Sequence, residues 1–218
     1  MAGPVGNVSL LVHACAAMVI VAETGLIAYR FYVWKKNAKS RKKAVFHKVL
    51  FFPDQKIPCQ RYLLSPQGCA RKNCSYSHDW SSSFAQLMKH VITAKRSIYL
   101  CMFSVTCNEL AMAVLQKFRQ GAVVRVITDT EYMNLNGSRI ADFMNQGIEV
   151  RHDRSSYLMH HKFLIIDEKV VVTGSFNWTH AAVIGNNENV LVTNHPDVLD
   201  PYLAEYKKLW KMFKVNFN

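Results

Sequence analysis

Apolar positions along this chain fall into three regimes. Val8 to Tyr29 is a run of 22 residues whose only formally charged member is Glu23. At about 1.5 Å of helical rise per residue it is long enough to cross a hydrocarbon layer of about 30 Å. Lys35, Lys36, Lys39, Arg41, Lys42 and Lys43 follow it. The spacing therefore predicts a membrane anchor over 1–34 and a basic linker over 35–44, with everything behind them on the cytosolic side. No basic segment precedes the run, which argues against a cleaved signal peptide. The anchor suits either the endoplasmic reticulum or the mitochondrial outer membrane.

From Val45 onward the apolar period alternates between two and 3.6. Strands are expected at Val45–Phe52, Ser97–Phe103, Val123–Thr128, Ile148–Arg151 and Asn189–Thr193. Helices are expected from a serine cap at Ser81–Ser83 through Lys95, from an Asn108 cap through Gln120, over Ser138–Gln146 and over Asp197–Phe213. Strands alternating with helices, then a hairpin, predict an α/β domain over 45–218: a mixed sheet with helices on both faces. The third regime, 56–79, lacks apolar period and is rich in Pro, Gly, Ser and Cys. It reads as an irregular insertion.

Half of the residues are apolar, so a sizeable core is expected. A net charge of +12 and a pI near 9.5 point to a polyanionic partner, nucleic acid or an acidic membrane face. The six cysteines are too few and too unevenly spread for a secreted disulfide scaffold. Cys59-x9-Cys69-x4-Cys74-x3-His78 instead has the ligand types and rough spacing of a CCCH zinc site, in which the metal would hold a segment with little core of its own. Packed reduced thiols are the alternative. Arg61, Arg71 and Lys72 interleave with Tyr62 and Tyr76, a pattern suited to single-stranded RNA; the same residues can simply cover the knuckle.

The chemistry concentrates in one hairpin. His160-x-Lys162 leads into the apolar run Phe163–Ile166, Asp167 closes it, and Val170–Thr173 returns to Gly174-Ser175-x-Asn177. Residues two apart on a strand face the same way, so His160 and Lys162 share a site. A two-residue turn at Asp167-Glu168 would set His160 opposite Ser175. Asp167 lies an odd seven positions from His160 and faces away on a regular strand, which assigns it to the turn, organising backbone amides. A histidine, a cation and neutral polar groups on one face suit the handling of a phosphate.

H-x-K-x4-D followed by G-S-x-N resembles the HKD motif of the phospholipase D superfamily, and Glu188 matches its later acidic residue. The resemblance spans Val45 to the C-terminus and implies the following. His160 is the nucleophile on phosphorus and forms a phosphohistidine. Lys162 and Asn177 stabilise the non-bridging oxygens, Ser175 helps place the same phosphate, and Glu188 orients His160. Asp167 belongs to the catalytic motif but is mainly structural. No catalytic metal is implied. The superfamily uses two such histidines, and this chain has a single motif, which implies a homodimer; His161 and His180 are the candidates for an acid within one chain. Arg151 and Arg154 precede the catalytic strand and are expected to bind substrate at the groove mouth. Basic walls favour single-stranded RNA, which for this family means cutting piRNA precursors at the mitochondrial outer membrane. Hydrolysis of cardiolipin to phosphatidic acid is the alternative; it would need an apolar approach for acyl chains, and no conspicuous apolar loop adjoins the motif, though Tyr157-Leu158-Met159 could serve. A non-catalytic RNA or membrane scaffold ranks third.

Overall fold

The computed structural model describes residues 13, 23–32, 44–65 and 67–213. The chain divides into two compact units, Met1–Val45 and Phe46–Asn218. In the first, residues 23–32 are helical (α1) and carry Leu26, Ile27, Tyr29, Phe31 and Tyr32 exposed. Most of the expected anchor and linker lies outside the described residues. Among the described residues no helix is long and apolar enough to cross a membrane.

The second unit is built on a seven-stranded mixed sheet. Its strands are β1 (His47–Phe52), β2 (Ser97–Met102), β3 (Val123–Thr128), β4 (Glu149–His152), β5 (Lys162–Ile166), β6 (Val170–Gly174) and β7 (Glu188–Thr193), in the order β1-β7-β6-β5-β2-β3-β4. The β2-β3-β4 portion is parallel and the other pairings are antiparallel. The helices are α2 (Gln60–Leu64), α3 (Ser83–Ile92), α4 (Asn108–Arg119), α5 (Ile140–Asn145), α6 (His180–Ile184) and α7 (Pro196–Met212).

The strand period of two divides the core cleanly. Ile98, Leu100, Met102, Leu164 and Ile166 pack with Phe84, Leu87 and Met88 of α3, Leu110 and Val114 of α4, and Phe143 of α5. The alternate residues Tyr99, Cys101, Phe163 and Ile165 pack with Leu199, Tyr206 and Leu209 of α7. The expected layers are therefore present, with one face covered by several helices and the other by α7. Ser82 caps α3 by accepting from the Ala85 amide at 3.2 Å, as its position before the first apolar residue predicts. The cap expected at Asn108 moves one residue: Cys107 takes that place without a side-chain bond and Asn108 is the first helical residue.

The hairpin departs from expectation by one residue. Both Asp167 and Glu168 have positive φ (55° and 52°), as a primed turn requires. However, Ile166 pairs with Val170 and Phe163 with Thr173, so Lys169 is an extra residue between the strands. Phe163 and Thr173 form the last pair, so Lys162 and His160 lie beyond it and His160 does not stand opposite Ser175.

Candidate active site

One edge of the sheet collects the ends of every strand that matters to the site. The parallel strands β2 and β3 run out there into Phe103 and Asp129, β4 ends at His152, and β5 begins there behind His160. β6 delivers Gly174 and Ser175 to the same edge, where β7 begins at Glu188. Ligand sites in open α/β sheets form outside the carboxyl ends of parallel strands, where backbone termini leave room for side chains.

His160 and Lys162 meet as the period-two argument requires. Lys162 Nζ lies 3.2 Å from His160 Nε2 and 3.1 Å from the His160 carbonyl oxygen. An ammonium can only donate, so Nε2 is the acceptor nitrogen and keeps its lone pair on the side of the lysine. Burial pushes the Lys162 ammonium below the ordinary lysine range, and nearby Glu188 partly restores it. Lys162 is thus in contact with the histidine and within electrostatic reach of the carboxylate.

Gly174 is dictated by sheet geometry. A Cβ there would stand 2.0 Å from the Asn189 carbonyl oxygen, so only glycine allows β6 to close on β7. That closure sets Ser175: its amide donates to Asn189 O and its hydroxyl accepts from the Asn189 amide, both at 3.1 Å. The Ser175 hydroxyl donates to Glu188, whose other oxygen accepts from Asn186 Nδ2 at 3.0 Å. Within this chain Glu188 therefore holds Ser175 rather than His160. Asn177 contributes a buried Oδ1 with no hydrogen-bond partner among the described residues, a polar atom that a bound group could satisfy.

Asp167 sits at the far end of β5, away from the histidine. Its carboxylate accepts from the backbone amides of Lys95, Arg96 and Ser97 at 2.6–3.1 Å. Burial raises its pKa, but the amides of Ser97, Arg96 and Lys95 outweigh that, and the net shift is downward. It clamps the turn onto the start of β2. Arg151 also leaves the groove. Its guanidinium donates to Glu149 and to the Trp210 carbonyl and stacks over the Trp210 ring at 4.0 Å, leaving the side chain only 13% exposed. A cation already paired and stacked is poorly placed to bind substrate; Arg154, by contrast, is exposed and lines a cavity beside His160. His161 lines that cavity too, 4.0 Å from Glu205. His180 is exposed at the start of α6, whose cap Thr179 accepts from the Ala182 amide.

Three contributors have no counterpart in the motif. The Phe103 ring meets His160 edge-on at 4.5 Å between centroids and lies 5.0 Å beneath Lys162 Nζ. The Tyr132 ring packs against Phe103 with 3.8 Å between centroids. The buried Asp129 accepts from the Glu131 and Tyr132 amides with one oxygen and from the Met159 amide, directly before His160, with the other. One carboxylate thereby fixes both the tyrosine and the histidine segment. A polar residue at the end of a buried parallel strand is the signal that marks Asp129 in the sequence.

In the insertion, the ligand atoms of Cys59, Cys69, Cys74 and His78 all lie within 4.8 Å of one another. Four donors of this type and spread can bind a metal and fit the tetrahedral shell of zinc, with ligand bonds of about 2.0–2.3 Å. Cys59 caps α2, and its amide donates to Ser77 O at 2.8 Å, so the two ends of the insertion are joined. Burial raises the Cys59 thiol's pKa, but the Tyr62 amide and the neighbouring thiols of Cys69 and Cys74 bring it below the usual value.

A family model described as "Cardiolipin synthase, PLD-like domain" matches residues 87–210. Among solved structures, Nuc from Salmonella typhimurium, a phospholipase D family member, superposes with a TM-score of 0.59 at 25% identity over 78% of this chain and 97% of that one. Fold and site define a phosphodiester hydrolase of the phospholipase D type. The mitochondrial cardiolipin hydrolase of Chlamydomonas reinhardtii is 41% identical over 165 residues, covering 76% of this chain and 73% of that relative. The human protein of the same name is 38% identical over 184 residues, covering 80% and 71%. The chain belongs to the phospholipase D superfamily and, within it, to the mitochondrial cardiolipin hydrolase family.

Proposed function

We propose that this protein hydrolyses the phosphodiester of cardiolipin through a phosphohistidine intermediate formed on His160. The observation that carries the chemistry is the 3.2 Å contact between Lys162 Nζ and His160 Nε2. It puts a lone pair and a positive charge at one point of the sheet edge. His160 Nε2 attacks phosphorus and the bond to the leaving oxygen breaks, with the charge on the non-bridging oxygens met by Lys162 and the Asn177 amide. A second acid protonates the leaving oxygen. Water then attacks the phosphohistidine and gives up its proton to that same group, which frees His160 and releases phosphatidic acid. Ser175, held by Glu188, places the phosphate.

The second acid is the His160 of another copy, brought in by a homodimer with a two-fold axis through the site. Support for this comes from the single motif and from the positions of the alternatives, since His161 faces Glu205 and His180 opens a separate helix. In the dimer Glu188 is also available to the facing histidine. Zinc on Cys59, Cys69, Cys74 and His78 ties the insertion and takes no part in the reaction. The 1–34 anchor and 35–44 linker hold the 45–218 domain on the cytosolic side of the mitochondrial outer membrane.

Cleavage of single-stranded RNA for piRNA production is the second reading. It is favoured by the net charge of +12 and by the exposed Arg154 beside the site. The purified protein given cardiolipin vesicles and single-stranded RNA separates the two, with His160→Asn as the control. Phosphatidic acid release that depends on His160 is the expected result, and cleavage of RNA alone would replace this reading with the second.

A further inference from the structure

A cavity of about 630 Å³ opens beside the nucleophile, and the phosphate chemistry leaves it unused. His160 forms part of its wall. The remainder is mostly apolar: Tyr157, Leu158 and Met159 from the segment before His160, and Leu209, Met212 and Phe213 from the end of α7 and just after it. Tyr157 is 83% exposed, Leu158 54% and Met212 59%. Large apolar side chains this open, grouped around one concavity, mark a binding surface rather than a packing residue of the core. The volume lies in the range of pockets that enclose a small molecule or one flexible chain.

The polar groups nearby do not compete for this role. Asp153 is buried and accepts from the Thr130 amide and hydroxyl and from Ser155, and His152 is bonded to Thr130. Among the described residues of this lining Arg154 is the one Lys or Arg, exposed and placed to meet an anionic headgroup. A polynucleotide track would need repeated cations at the spacing of its phosphates. A single cation above an apolar hollow matches one phosphate joined to a hydrocarbon.

We propose that this cavity receives an acyl chain of a lipid phosphodiester whose phosphate rests on His160, so that the enzyme selects lipid diesters by their hydrocarbon. The inference rests on the phosphodiesterase reading and adds to it the place and the residues of substrate selection. Apolar burial raises affinity by up to about fourfold per methylene enclosed. The wild-type protein should therefore gain steeply in kcat/KM along a series of cardiolipins of increasing acyl length.

The test uses the full chain with that series kept to short acyl lengths that stay monomeric in water, so that each added methylene is drawn from water, with bis(p-nitrophenyl) phosphate as a diester without acyl chains, and with a single-stranded oligoribonucleotide. Leu158→Asp and Met212→Glu alter the mouth, where both side chains are solvent-accessible and folding is least disturbed. The expected result is a fall of at least tenfold in the ratio of longest-chain lipid to soluble-diester kcat/KM, with a flattened chain-length dependence in both variants. Equal losses on every substrate, an unchanged ratio, or RNA cleavage falling in step with lipid turnover would overturn the proposal. The catalytic reading fails separately, by hydrolysis of the soluble diester that survives His160→Asn.

Discussion

Lys162 is a cation that the fold both needs and weakens. Its burial disfavours the ammonium, and a neutral lysine cannot meet the charge that develops on phosphoryl oxygens. Because the folded value is lowered, kcat should fall as pH rises through a point below the ordinary lysine range of about 10.4. A pH–rate profile checks this. Lys162→Met should remove that alkaline limb and lower kcat by about 100- to 1,000-fold. Phe103 acts one step further back. Its one ring meets both His160 and Lys162 and is itself packed against Tyr132. Phe103→Leu retains apolar bulk but loses the flat support, and small displacements of reacting groups are costly in rate. We expect kcat to drop about tenfold or more with KM nearly unchanged, while thermal unfolding shows the domain intact; a change in KM alone would place Phe103 in substrate binding instead.

Among the elements, the hairpin β5–β6 explains why the aspartate of the motif stands where it does. Asp167 ties the turn to the amides that open β2, and its pKa is lowered in the folded state. A carboxylate stabilised this way contributes above its unfolded pKa of about 3.9, and the contribution is lost as pH falls through the lower folded value. Asp167→Asn should therefore cost roughly 2 kcal/mol of unfolding free energy at neutral pH, with the difference from wild type shrinking in acid. Denaturant titrations at both pH values check it. This role was legible in the sequence from parity alone, because a residue seven positions from His160 cannot share its face. The strands and long helices were legible for the same reason, since Ile98-Tyr99-Leu100-Cys101 and the stripe of α3 carry their periods openly. The register of the hairpin was not. A two-residue turn and a turn with one extra residue differ only in how Lys169 is placed, and both accept the same side chains. Arg151 was misread because charge next to a motif suggests a groove, whereas α7, 59 residues further along, supplies the Trp210 that claims it.

For the whole molecule, the insertion and the sheet edge make separable claims. If zinc ties Cys59, Cys69, Cys74 and His78, the purified protein should contain about one zinc per chain. Chelation or Cys74→Ser should lower the melting temperature while leaving the reaction itself metal-independent in any residual folded protein. Elemental analysis beside a thermal melt reads both. The dimer makes a different claim, since each active site would draw on two chains. Wild-type subunits mixed after dissociation with His160→Ala subunits should then lose activity as the square of the wild-type share, and a fall linear in that share would show that no site is shared. The Asp129–Tyr132–Phe103 arrangement escaped the motif because it joins residues from the ends of β2 and β3 with the segment before His160. Spatial neighbours of that kind leave no spacing in a sequence.

If His160 attacks phosphorus, it becomes covalently joined to a lipid diester for part of each turnover. Rapid quenching of the full-length protein during turnover of cardiolipin, followed by mass spectrometry of the peptide containing residue 160, tests it most directly. A phosphatidyl group should appear on His160, decay with turnover and be absent from His160→Asn. Phosphatidic acid released at the wild-type rate with no adduct on that peptide, or with His160→Asn still active, would contradict it.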